Sequence, residues 1–172
     1  MATFLAKLAR LWRHRWADDS RAQRDLPPAL LERLTARVAA SERRHSGEIR
    51  ICVEGGLPSS YIWRDAAARE RAVMMFGKLR VWDTERNNGV LIYLLLAEHA
   101  IEIVADRGLN AHVDAQAWRA MTQRMAAAFR EGRFEDGLTQ ALEEVSALLV
   151  AHFPLAEGEP DRNELPDAPV VL

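Results

Sequence analysis

Val81-Trp-Asp-Thr-Glu-Arg-Asn-Asn-Gly-Val-Leu-Ile-Tyr-Leu-Leu-Leu-Ala97 is the stretch whose reading decides the fold, together with Ile101-Glu-Ile-Val-Ala-Asp-Arg-Gly-Leu-Asn110 just beyond it. A loop rich in carboxylate and amide oxygens runs directly into a segment, 90–96, that is apolar on both faces. Such a segment reads as a central strand, because only a strand covered on both sides loses the alternation of polar and apolar residues. The short turn 97–100 makes 101–105 its antiparallel hairpin neighbour.

Working outward, Ile49, Ile51 and Val53 alternate with Arg50, Cys52 and Glu54, the period-two pattern of another strand. Gly55-Gly56-Leu57-Pro58-Ser59-Ser60 is a loop whose serines cap a helix over 62–79, with Ile62, Ala66, Val73 and Phe76 expected inward. Upstream, Pro27-Pro28 opens a helix carrying Leu30, Leu31, Leu34 and Val38, which runs to about His45 and is broken by Gly47. Downstream, Asn110 is expected to cap a helix with Trp118, Met121, Met125 and Phe129 inward and Gly132 at its stop. Phe134, Leu138, Leu142, Val145 and Leu149 mark the last helix, ended before Pro154. The order helix, strand, helix, strand, strand, helix, helix predicts an α/β fold, a small mixed sheet with helices on both faces.

Three regions follow. Residues 1–26 are a basic amphipathic helix and hinge, 27–154 the α/β domain, and 155–172 an acidic, proline-containing tail expected to be extended or disordered. In the first, Phe4, Leu5, Leu8, Leu11, Trp12 and Trp16 form an apolar stripe opposite Lys7, Arg10, Arg13 and His14. Such a stripe docks on its own domain or a second copy, or lies on an anionic membrane surface; Leu8, Arg10, Trp12, Arg13 and Trp16 are the expected contacts with a membrane or protein partner.

The balance of 23 basic and 25 acidic residues in 172 gives no electrostatic case for nucleic acid. One cysteine, Cys52, excludes an internal disulfide, and its place inside a strand reads as a buried, inert thiol. The longest apolar run, 90–97, falls far short of the ~20 residues of a membrane helix, and no signal peptide is visible. A cytoplasmic protein, peripheral to the inner face of the membrane through its first helix, is the expectation.

Topology gathers distant polar residues. A strand–helix–strand crossover makes the first two strands parallel, and the hairpin makes the third antiparallel to the second. Gly47-Glu48, Asn87-Asn88-Gly89 and Asp106-Arg107-Gly108 then meet at one sheet edge, with Asp83 and Glu85 on the loop that feeds it. Asp83, Glu85, Asn88 and Asp106 are hard oxygen donors of the kind calcium or magnesium prefers, with Arg107 and Gly108 suited to a phosphate. The same residues also serve as ordinary turn caps. At the opposite edge Gly55-Gly56 lacks a phosphate-loop pattern, and Glu98-His99 has no serine partner. The scattered histidines argue against zinc. Trp63, Trp82 and Trp118 read as core or helix-packing residues.

These segments resemble the TPM domain family, named after plant thylakoid-lumen and photosystem-repair proteins and a receptor-associated membrane protein of worms. The resemblance spans roughly Pro28 to Phe153. It rests on Gly47-Glu-Ile-Arg-Ile, Asn88-Gly-Val-Leu-Ile-Tyr, Ile101-Glu-Ile-Val-Ala-Asp-Arg-Gly-Leu and Phe129-Arg-Glu-Gly-Arg-Phe-Glu-Asp-Gly-Leu138. It implies a three-layer α/β/α sandwich. It also implies either of two activities. One is a non-enzymatic binding or assembly module for membrane-associated or envelope-maintenance partners, with a weak calcium or magnesium site. The other is a divalent-metal-dependent phosphatase, in which Asp83, Asn88 and Asp106 hold the ion, Glu85 or Glu48 is the general base, and Arg107 steadies the phosphate. The secreted, membrane-anchored bacterial members of the family usually have Asp-Asn-Gly before the central strand. Here Asn87-Asn88-Gly89 replaces one carboxylate with an amide, which weakens a divalent site. The first reading is therefore preferred.

Overall fold

A computed structural model describes residues 4–16, 26–156 and 162–172, the side chain of Trp16 excepted. The expected hinge at 18–25 lies outside them. The chain forms α1 (Phe4–Trp16), α2 (Pro28–Glu42), β1 (Ile49–Glu54), α3 (Ser59–Trp63), α4 (Ala68–Lys78), β2 (Val90–Leu95), β3 (Ala100–Ala105), α5 (Arg107–Asn110), α6 (Ala115–Arg130), α7 (Phe134–His152) and β4 (Val170–Val171).

The sheet order is β3-β2-β1-β4. β1 runs parallel to β2, with Ile51 opposite Ile92, and β2 pairs antiparallel with β3, with Leu95 opposite Ala100. Every residue of β1 and β2 is buried. One face, with Ile49, Ile51, Val53, Ile92 and Leu94, packs on α2, α6 and α7. The other, with Cys52, Leu91, Tyr93 and Leu95, packs on α3 and α4. Three layers result because each strand has two apolar faces to cover.

The structure differs from expectation in four places. The helix expected over 62–79 is two, since Asp65 takes a left-handed turn (φ 60°) between α3 and α4. α4 is also rotated, burying Ala68, Arg71, Ala72 and Met75 and leaving Val73 half exposed, because Arg71 must reach a buried carboxylate. Asn110 ends α5 rather than opening α6, whose cap is Asp114, accepting from the Ala117 N–H at 2.7 Å. Trp63 and Trp82 are about half exposed rather than core, while Trp118 is partly buried against the core on the Ile51–Ile92 face of the sheet.

The fourth difference is a strand in the tail, which no pattern suggested. The described part, 162–172, is extended, one of the two expected alternatives, and Val170–Val171 pairs parallel with Cys52 and Val53 of β1.

Candidate functional site

The predicted sheet edge forms. Asp106 donates its N–H to the Gly89 carbonyl (2.9 Å), and the Gly108 N–H reaches the Asn87 carbonyl (2.9 Å). Asn88 donates its amide to the Ser46 carbonyl at 3.0 Å, tying the same corner to the approach to β1. Two glycines permit this crowding. A Cβ on Gly89 would fall 1.9 Å from the Val81 carbonyl oxygen, and one on Gly108 would fall 2.5 Å from that of Asn87.

Within that corner the six predicted residues divide. Asn88 is fully buried, and its Oδ1 has no hydrogen-bond partner; the buried Oδ2 of Asp106 has none either. Both are acceptors, and a cation or a donor would satisfy them. Asp83 pairs with Arg80 (2.8 Å), and Glu85 lies 3.8 Å from Arg162 while its N–H is held by Glu164 at 2.9 Å. Arg107 directs two guanidinium nitrogens at Asn87 Oδ1, at 2.9 and 2.6 Å. Glu48, a general-base candidate, is buried and accepts the N–H groups of Glu164 and Leu165. One carboxylate oxygen and one amide oxygen of this corner are thus buried without a partner. Among the described residues no three His, Cys, Asp or Glu side chains are grouped to share an ion.

At the opposite edge lies a cleft of about 520 Å³ between α1 and the Gly55–Ser59 loop. The first helix docks here through Lys7, Arg10, Leu11 and His14, three from the expected basic side and one from the apolar stripe. Arg10 bonds Glu98 (2.7 Å) and the Ala66 carbonyl (2.7 Å), and Lys7 bonds the Trp63 carbonyl (2.8 Å). His14 is buried; its Nδ1 accepts the Leu57 N–H at 2.9 Å, which leaves Nε2 to donate to Glu98 at 2.9 Å. Burial opposes ionisation of Glu98, but hydrogen bonds from His14 and Arg10 prevail and hold its carboxyl below the usual range. Gly56 is required here, because a Cβ would lie 2.5 Å from the His14 carbonyl. The Gly-Gly pair is thus a seat for α1. Arg10, predicted as a membrane or partner contact, faces the domain.

What remains outside is apolar and basic. Phe4 is 66 % exposed, Leu5 75 % and Trp12 60 %, with Leu8 partly buried and Arg13 and Arg15 exposed. Sequence reasoning found the amphipathic period but not which face docks, because the partner residues Glu98, Ala66 and Leu57 come from three separate segments. It also missed the buried Glu54–Arg71–Tyr93 group, whose only signal was charged residues inside apolar runs.

The TPM domain profile matches residues 24–148. The chain belongs to the TPM domain family. It is similar to the BA42 protein of the psychrophilic bacterium Bizionia argentinensis, whose NMR structure superposes with a TM-score of 0.72 at 26 % identity, covering 85 % of this chain and 94 % of that one. The N-terminal domain of a protein from P. gingivalis shares the fold, with a TM-score of 0.55 at 18 % identity over 77 % of this chain and 83 % of that one. No curated protein matches the sequence. The TPM segments quoted above supply β1, the corner before β2, β3 and the α6–α7 connection.

Proposed function

We propose that this TPM domain is a non-enzymatic binding module that attaches to the anionic inner face of a membrane through α1. One observation carries the reading: the helix docks by Lys7, Arg10, Leu11 and His14, so Phe4, Leu5 and Trp12 stand exposed beside Arg13 and Arg15. Exposed aromatic and aliphatic side chains flanked by arginine suit the headgroup boundary, where apolar burial and attraction to anionic lipid act together. No helix among the described residues is long and apolar enough to cross a membrane; the attachment proposed is a peripheral one.

The test is sedimentation with phosphatidylglycerol-containing vesicles and with neutral phosphatidylcholine vesicles. The full chain should pellet with the anionic vesicles alone. Phe4→Ser with Leu5→Ser should abolish pelleting at unchanged melting temperature, because neither side chain supports the docked face. An unmodified chain that stays in the supernatant with both vesicles would sink the reading.

The orphaned Asn88 Oδ1 and Asp106 Oδ2 favour a second, accessory property, weak calcium or magnesium binding at the β2–β3 corner. Titration with either ion should move the amide resonances of 87–89 and 106–108, and Asp106→Asn should remove that response without unfolding the domain. Silence at these amides at saturating ion would discard the site. The phosphatase reading has less support, since Arg107 is bound to Asn87, Asp83 to Arg80, and Glu48 to the tail backbone.

A further inference from the structure

The outer neighbour of β1 is a distant segment of the tail, and the contacts there are made to main chain. Glu48 accepts N–H groups from Glu164 (3.0 Å) and Leu165 (3.1 Å). Arg50 donates to the Ala168 carbonyl at 3.1 Å. Leu172 donates its N–H to the Val53 carbonyl, and the Gly55 N–H returns to the Leu172 carbonyl, both at 2.9 Å. Such recognition depends on an extended backbone rather than on a particular sequence. Two apolar side chains anchor the segment, Leu165, which is buried, and Val170, which packs with the core on the Cys52–Tyr93 face of the sheet.

The fit is incomplete at one atom. Arg50 is 94 % buried (6 % exposed), yet its Nε has no hydrogen-bond partner. Asp167 is near enough to influence the Arg50 charge, but its carboxylate is turned to the Asn163 amide at 2.5 Å. A guanidinium offered a single carbonyl lacks the two-pronged acceptor that it binds best. A groove made for this tail alone would complete that bond or replace Arg50 with an apolar residue. Charged residues lining the edge also keep it soluble when uncovered.

We propose that the β1 edge is a peptide-binding groove held in cis by residues 162–172, and that it accepts in trans an extended segment adding a parallel strand. The partner presents to Arg50 a carboxylate in the place of Asp167 that no neighbouring amide holds away, followed by branched aliphatic residues in the place of Val170–Val171. This surface is separate from the exposed face of α1 and does not rest on the membrane reading.

The test uses the full chain. Leu165→Asp with Val170→Asp removes both apolar anchors, and this opened chain should bind a labelled peptide of residues 162–172 about tenfold more tightly than the unmodified chain, whose groove is filled in cis. A peptide bearing Asn163→Ala, which frees the Asp167 carboxylate for Arg50, should bind the opened chain about tenfold better again, and adding Arg50→Gln should erase that gain. An opened chain that melts cooperatively yet binds neither peptide overturns the proposal, and equal binding of the two peptides overturns the acidic partner. Amide exchange on the unmodified chain is an independent check. The Leu172 and Gly55 N–H groups should exchange about tenfold faster than the Val90 N–H, which bonds Glu48 at 2.8 Å. Equal protection means that the tail leaves only when the whole domain unfolds, and overturns the proposal as well.

Discussion

His45 is fully buried where α2 hands over to β1, with Nε2 2.8 Å from Ser41 Oγ and Nδ1 3.0 Å from the Gly47 carbonyl. The carbonyl requires Nδ1 to carry the proton, so Nε2 accepts from Ser41. Burial, the largest cause, lowers its pKa from 6.5 to about 4. The unfolded chain therefore binds the proton first as pH falls. The His45 contribution is complete above pH 6.5, declines below it and is fully lost under pH 4. Between pH 7.5 and 5 this group alone should cost about 2 kcal/mol, read as the difference in urea stability between the parent and a non-titrating His45→Asn chain. A second residue-scale prediction concerns Gly89. Its Cβ would strike backbone at Val81 rather than a movable side chain, so Gly89→Ala should destabilise by about 3 kcal/mol or more in the same urea assay. The glycine was visible in the sequence as part of Asn88-Gly89. The reason for it was not, since Val81 approaches from the far end of the loop.

At the scale of elements, α4 is tied to β1 and β2 by one buried group. Arg71 holds Glu54 through Nε at 3.1 and 2.8 Å and through Nη2 at 2.5 Å, and Tyr93 donates its hydroxyl to the same carboxylate at 2.6 Å. Burial works against the Arg71 charge, but bonding to Glu54 outweighs it and raises the Arg71 pKa; burial and the Glu54 charge raise that of Tyr93. Arg71→Ala would leave a buried carboxylate without its counter-charge, costing about 3–5 kcal/mol. Adding Glu54→Gln should recover part of that loss, and a double-mutant cycle by thermal melting measures the coupling. Simple additivity would show that the pair does not act as a unit. This group explains why helical periodicity misplaced Val73: the apolar pattern put it inward with Phe76, which does pack on the core, but the charge at position 71 needed the interior.

Across the whole molecule, Cys52 reports on the sheet. It is fully buried at the β1 centre, between β2 and β4, and burial raises its thiol pKa to about 12. A thiol reagent should therefore label the native chain no faster than it unfolds, and labelling that rises with reagent while the fold persists would contradict this burial. If the tail opens locally as inferred, Cys52 remains covered on its other sides and the labelling rate should stay low.

The three-layer arrangement was legible because it rests on local signals: two-sided apolar runs for β1 and β2, a hairpin too short for any other pairing, and 3.6-residue periods for the helices. The β2–β3 corner was legible too, since strand directions alone carry Asn88 and Asp106 to one edge. The sequence by itself thus determined the element order, the sheet directions and the placement of those polar residues. Only the tertiary structure decided which face of α1 docks, that 162–172 supplies a fourth strand, and which buried oxygens stay unpaired. Each of these depends on hydrogen bonds between residues far apart in the chain, such as His14 with Glu98 or Glu48 with Leu165, and no periodicity within one segment encodes a partner in another.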